Sequence, residues 1–234
     1  MIDLIRVSGG EAVVFPAIEI LDPVDLTDLN QQIDRLHTFD WAIFISPTAV
    51  QRGMKLVLAR RQWPARPAIA AVGLGSARAL EACGFQHVLA PSGQSDSEAL
   101  LALPELNQVS GKRIVIFRGE GGRELLAETL RQRGAEVVYA ECYRRAKPAA
   151  SFAAVIDAHL RTPLSAITIT STEALNNLLD VAGPENQPVL AGIPFFVSHQ
   201  RIAESARQRG IQTVITAEGG DAGLMEGMVK FFSS

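Results

Sequence analysis

"FDWAIFISPTAV" runs from Phe39 to Val50, and "LSAITITSTEAL" runs from Leu164 to Leu175. Each is a short apolar run that ends in a Ser/Thr turn and opens onto a helix-like pattern. Ser46 and Ser171 occupy the same point in the two stretches, 125 residues apart. Working outward, the correspondence holds. "AAVGLGSARALEACGFQHVLA" (Ala70–Ala90) and "FFVSHQRIAESARQRGIQTVIT" (Phe195–Thr216) both read strand, small-residue turn, helix, Gly, strand, with Gly84 and Gly210 where a left-handed residue ends a helix. "GGEAVVFP" at Gly9 matches "GAEVVYAE" at Gly134, and "SDSEALL" at Ser95 matches "GDAGLME" at Gly220. A repeat of this length predicts two copies of one α/β unit.

The strand signals are Ala12–Phe15, Trp41–Ile45, Ile69–Val72 and His87–Ala90 in the first half. In the second they are Arg113–Phe117, Glu136–Tyr139, Ser165–Ile169, Pro194–Val197 and Thr213–Thr216. Near-continuous apolar runs suit parallel strands covered on both faces. They alternate with helices such as Arg123–Arg133, where Leu126 and Leu130 share a face and Gly134 follows. The expected fold class is α/β, with two similar doubly wound parallel-sheet domains.

Composition narrows the function. The chain has 234 residues, 47% of them hydrophobic, enough for real cores. A net charge of −3 argues against a nucleic-acid partner, and Arg60-Arg61 and Arg144-Arg145-Lys147 read as solvated surface charge. No apolar run approaches membrane-spanning length and the N-terminus has no leader pattern, so neither a membrane partner nor export is expected. Cys83 and Cys142 stand too far apart for a CxxC pair, and the economical compartment is the cytoplasm. "GLGSAR" at Gly73 is not a dinucleotide fingerprint, "RGEGGRE" at Arg118 is not a P-loop, and the four histidines are scattered. No cofactor and no metal are expected.

In open parallel sheets, ligands bind beyond the C-terminal strand ends. Four turns fall there: Ser46-Pro47-Thr48, Gly73-Leu74-Gly75-Ser76, Ser171-Thr172-Glu173 and Ser198-His199-Gln200-Arg201. Each is a helix N-terminus with unpaired N–H groups and partial positive charge, suited to anions. For any single hydroxyl, capping is the stronger reading, as in the capping boxes at Thr170 and Ser95. Together, Ser46, Thr48, Gly73, Ser76, Ser171, Thr172, Ser198 and Arg201 are candidate binders of a polyanion.

The blocks "FISPTAV", "AVGLGSARAL", "GKRIVIFRGEGGRELLAETLRQRGAEVVYAECYRR", "ITSTEAL" and "FFVSHQRIAE" occur in the order and at the spacing of one family. The chain resembles the uroporphyrinogen-III synthases from about Gly9 to its C-terminus. The resemblance implies residues 1–21 joined to 149–234 as a split domain, residues 24–141 as an inserted one, and two connectors, 17–21 and 142–147, paired as a ladder between them. It implies dehydration and cyclisation of hydroxymethylbilane with inversion of the last pyrrole ring, by a monomer that receives substrate from hydroxymethylbilane synthase. The azafulvene formed on loss of the hydroxyl needs little activation, so the enzyme's task is to hold one folded conformer. Four acetates and four propionates then meet the helix N-termini of two facing jaws. Tyr143, at the ladder, is the implied catalytic residue, its phenol assisting departure of the hydroxyl. The alternative is a ring that plugs a hinge. Arg201 stands where the family often has a threonine, and Arg118 either meets a carboxylate or pairs with Glu120 or Glu124. The rival function is a non-catalytic tetrapyrrole-binding or regulatory module.

One feature of the repeat is unmatched. Subtracting 125 from Lys112 gives a position before residue 1, so "KRIVIF" has no counterpart. The expectation is either a start site set too late or a split domain whose sheet is four-stranded, rearranged or completed by a partner. Gly9–Ile20 is then its least anchored strand region.

Overall fold

The computed structural model describes residues 1–92, 96–148, 152–217 and 219–233. The chain divides into two compact units, Ile20–Arg145 and Met1–Glu19 with Ala146–Ser234. Ser95 and the Ala149 boundary of the sequence reading lie outside the described residues.

The continuous unit carries a six-stranded sheet. Its strands are β1 (Glu19–Leu21, at the unit boundary), β2 (Trp41–Phe44), β3 (Ala68–Ala71), β4 (Val88–Leu89), β5 (Arg113–Gly119) and β6 (Glu136–Ala146), in the order β1-β6-β5-β2-β3-β4. Strands β2 to β6 pair in parallel. The period of two in the apolar runs covers both faces. Ala42, Phe44, Val115 and Phe117 pack on one side with α2 (Thr27–Asp34), α3 (Pro47–Arg60) and α4 (Leu74–Ala82). Ile43, Ile114, Ile116 and Val137 pack on the other with α5 (Ser97–Leu101) and α6 (Leu125–Gln132). Phe44 and Phe117 stack with centroids 4.5 Å apart. Helix α3 approaches them through Gly53, where a Cβ would stand 2.8 Å from Phe117 Cδ1. Asp96 caps α5 by accepting from Ala99 N at 2.8 Å.

The split unit holds a smaller parallel sheet, β7 (Ile167–Ile169), β8 (Phe195–Val197) and β9 (Val214–Thr216), in that order. Phe195 and Val197 face α8 (Thr172–Ala182), α9 (Gln187–Ala191) and α10 (Gln200–Gln208), with α7 (Ala153–Arg161) completing that side. Phe196 faces α11 (Gly220–Phe232) and, at the margin, α1 (Ile2–Val7). Gly84 and Gly210, with φ of 95° and 89°, follow α4 and α10 as the repeat requires.

One strand reading is corrected. Ala12–Phe15 forms no strand, and β7 stands at the sheet's edge among the described residues. In the continuous unit, β2 has β5 on the side where its counterpart β7 has none. A cavity of about 1030 Å³ lies there, with Ala12, Phe15, Ala166 and Thr168 among the residues that line it. A strand needs a neighbour to take its N–H and C=O groups. Without one the apolar pattern of Ala12–Phe15 does not become sheet, and Val13 and Val14 are exposed.

Candidate active site

In the continuous unit, β2, β3, β5 and β6 deliver their C-terminal ends to one edge of the sheet. Ser46 follows β2 in extended backbone and caps α3, its Oγ accepting from Ala49 N at 3.0 Å. Pro47 has no N–H, and the Val50 amide already binds the Ser46 carbonyl. Helix α3 therefore offers the Thr48 amide alone to an anion. Gly73 caps α4 with no side chain, so the amides of Leu74 and Gly75 precede the first intrahelical bond and face outward. Ser76 is buried in the first turn.

The same division recurs in the split unit. Ser171 caps α8 by accepting from Ala174 N at 3.0 Å, with Thr172 the first helical residue. His199 stands at the N-cap of α10 and makes no side-chain cap, leaving the Gln200 and Arg201 amides open. Ser198 is not the cap. Its buried hydroxyl donates to the Thr170 carbonyl at 3.2 Å, tying the turn after β8 to the turn after β7. Arg201 is exposed at the head of α10, with no ion-pair partner among the described residues.

Arg118, next to last in β5, is only 3% exposed. Its guanidinium donates to Glu124 at 2.8 Å, to the Gly119 carbonyl at 3.2 Å and to the Gly121 carbonyl, and it lies 4.5 Å above the Tyr139 ring. Of the two readings from sequence, the internal pair is the one found. The charge shapes the 119–124 loop rather than facing solvent. The Tyr139 hydroxyl also donates to Glu124. The bond from Tyr139, then that from Arg118, holds the Glu124 carboxyl below its usual range. Burial, followed by the hydrogen bond to Glu124 and then its charge, pushes the Tyr139 phenol up.

Tyr143 sits on β6 where the ladder to β5 slips. Arg118 pairs with Glu141, yet Gly119 pairs with Tyr143, so Cys142 is the extra residue of a bulge. In consequence Cys142 and Tyr143 are both buried, although they are consecutive. The Cys142 thiol contacts the Arg118 and Ala49 carbonyls, and burial pushes its pKa up to about 12. The Tyr143 hydroxyl lies 3.4 Å from Ser46 Oγ, and its carbonyl accepts from Glu120 N at 2.8 Å.

Residues 1–226 match a profile of uroporphyrinogen-III synthase HemD, nearly the whole chain. The chain belongs to the uroporphyrinogen-III synthase family. The Escherichia coli uroporphyrinogen-III synthase is 34% identical over 224 residues, covering 94% of this chain and 91% of that protein. The Salmonella typhimurium enzyme is 35% identical over 225 residues with the same coverage. The solved Helicobacter pylori uroporphyrinogen-III synthetase shares the fold with a TM-score of 0.61 at 15% identity, over 94% of this chain and 95% of that one.

Within this family member, the structure brings Ser46, Arg118 and Tyr143 to one end of the continuous unit's sheet. Gly119 and Cys142 escaped the sequence reading. The apolar pattern of the strand ends at Phe117, so Gly119 fell outside it, and no sequence signal marks Cys142 as the extra residue of a bulge. No helix among the described residues is long and apolar enough to cross a membrane, and none of their His, Cys, Asp or Glu side chains form a metal-type cluster.

Proposed function

We propose that the chain catalyses the dehydrating cyclisation of hydroxymethylbilane to uroporphyrinogen III, with inversion of the last pyrrole ring. The observation that carries this reading is the family match across residues 1–226. As a hydro-lyase of tetrapyrrole biosynthesis, the enzyme expels a hydroxyl as water and directs one carbon of the last ring onto the resulting azafulvene. No strong nucleophile is required. Its contribution is to hold one conformer and exclude others.

The open amides at the heads of α4 and α10 suit substrate carboxylates, each gaining about 0.3–1 kcal/mol from the helix dipole. The Gly73 and Ser198 turns present these amides, the Thr48 and Thr172 amides at the heads of α3 and α8 add to them beside the caps Ser46 and Ser171, Ser76 lies in the first turn of α4, and the exposed Arg201 adds a bidentate donor. Arg118 serves by fixing the 119–124 loop. Tyr143 is the side chain assigned to the chemistry, its phenol donating to the departing hydroxyl. The enzyme works in the cytoplasm as a monomer supplied by hydroxymethylbilane synthase. Incubation with hydroxymethylbilane tests the reading: an excess of the type III isomer over type I is expected, and the spontaneous type I product alone refutes it. Tyr143→Phe is expected to lower type III formation about a hundredfold. Parental turnover would remove Tyr143 from the mechanism.

A further inference from the structure

We infer that Gly119 and Ser46 are positioning residues that together hold the Tyr143 phenol in place, an inference resting on the role proposed for Tyr143. Three independent features converge on that ring. The first is the bulge: inserting Cys142 places Tyr143, not Cys142, opposite Gly119, and so turns the aromatic side chain across the end of β5. The second is the missing Cβ at Gly119. Built there, it would lie 2.5 Å from Tyr143 Cε2, 2.7 Å from Cζ and 3.0 Å from Cδ2. The two closest, Cε2 and Cζ, are at the hydroxyl end of the ring, so any other residue at 119 displaces the end of the ring that does the chemistry. Gly119 lies outside the left-handed region, and its requirement is space alone.

The third feature is Ser46. Its Oγ accepts the Ala49 amide at 3.0 Å, which fixes the oxygen, and the same oxygen stands 3.4 Å from Tyr143 Oη. Ser46 thus does more than cap. It holds the phenol oxygen at the N-terminus of α3, while Gly119 sets the plane in which the ring reaches it. Tyr143 is only 4% exposed, so the ring has no room to recover by rotating outward. In this assignment the glycine that ends "VIFRG" provides a flat floor for an aromatic ring. The hydroxyl of "FISPTAV" can accept from Ala49 N and donate to the phenol oxygen at once, whereas the capping oxygen of Asn or Asp, an equally good cap, has no proton to donate.

The experiment combines kinetics with ¹³Cζ-tyrosine NMR, which the two tyrosines, Tyr139 and Tyr143, make simple to assign. Gly119→Ala is expected to lower the turnover for type III product about tenfold or more with little change in KM, since the ring still fills its place but the hydroxyl is misplaced. Its Tyr143 resonance should shift. Ser46→Asn keeps a capping acceptor but loses the hydroxyl, and is expected to move the same resonance and reduce turnover. Ser46→Thr should restore both, which a pure capping role does not predict. In a Tyr143→Phe background, Gly119→Ala should have no further effect on turnover. Parental turnover in both Gly119→Ala and Ser46→Asn, with Tyr143→Phe impaired, overturns the assignment. So does a loss of turnover with an unmoved Tyr143 resonance, or effects that multiply in the Tyr143→Phe background. If the resonance moves while both Gly119→Ala and Tyr143→Phe turn over normally, the cradle stands and the chemistry assigned to Tyr143 fails.

Discussion

Gly53→Ala in the middle of α3 sets two ordinary effects against each other, and their sizes decide the sign. An alanine replacing glycine inside a helix normally gains about 1 kcal/mol, because the unfolded chain has less freedom to lose. Here the new methyl would lie 2.8 Å from Phe117 Cδ1 and 3.4 Å from Phe44 Cε1. Both rings are fully buried and stacked on each other, so neither can retreat. Overpacking of this kind costs about 1–3 kcal/mol, at the upper end where the neighbours are rigid. The net expectation is a loss of about 1–2 kcal/mol, a fall of about 4–8 °C in the unit's melting temperature. Both tryptophans, Trp41 and Trp63, lie in the continuous unit, and Trp63 packs 6.1 Å from Phe44 and 6.3 Å from Phe117. Urea unfolding followed by tryptophan fluorescence therefore reads this unit selectively. Phe117→Leu should partly relieve the strain, making the double variant more stable than the sum of the singles predicts. A Gly53→Ala protein as stable as the parent, or more so, refutes the argument. Type III formation should fall as well, since lifting α3 displaces Ser46 from Tyr143.

Three further outcomes are expected. Glu124 has its carboxyl held low by Tyr139 and Arg118, so its contribution is present above the unfolded-state value and lost as pH falls through the folded-state value. Because Glu124 is half exposed, Glu124→Gln should cost about 1 kcal/mol at pH 7, and the gap should close below about pH 4 in parallel urea titrations. In the native protein a thiol reagent at pH 8 should modify exposed Cys83 rapidly and spare buried Cys142, with both reacting in denaturant; rapid labelling of two thiols in the native state contradicts the burial at the bulge. Hydrogen exchange should be at least about tenfold faster along β7 than along β2, since β2 has a strand on both sides and β7 has one; equal protection would show that the open edge is filled.

Much of the fold was legible because its determinants are local. Apolar runs bounded by small-residue turns located eight of the nine expected strands within a residue or two, apart from β6, which continues past Tyr139 to Ala146. The turns that cap α3, α8 and α4 were visible as Ser or Gly before a helical pattern. Ala12–Phe15 failed for a physical reason. Its pattern is as strand-like as that of Glu136–Tyr139, but strand formation depends on a neighbour that sequence pattern does not supply locally. In the continuous unit β6 has β5, whereas beside Ala12–Phe15 lies a cavity. Ser198 makes a contact that sequence pattern does not show. Any hydroxyl before a helix reads as a cap, and only the geometry shows it donating backward to Thr170.

The two halves of the chain use the same turn differently, and that difference is chemical. At the equivalent serines, Ser46 and Ser171, each Oγ accepts the amide three residues on. Only Ser46 has an aromatic hydroxyl beside it, and that hydroxyl arrives through a bulge. Bulged, extended β6 is matched over most of its length by no strand, since Glu11–Ile18, the residues corresponding to its first part, carry none. A repeat supplies anion-ready helix ends in duplicate. The phenol belongs to the one copy whose sheet has the additional pair, β5 and β6, with Gly119 on the first and Tyr143 on the second. The candidate chemistry therefore follows from where the repeat is broken, and the candidate binding from where it is kept.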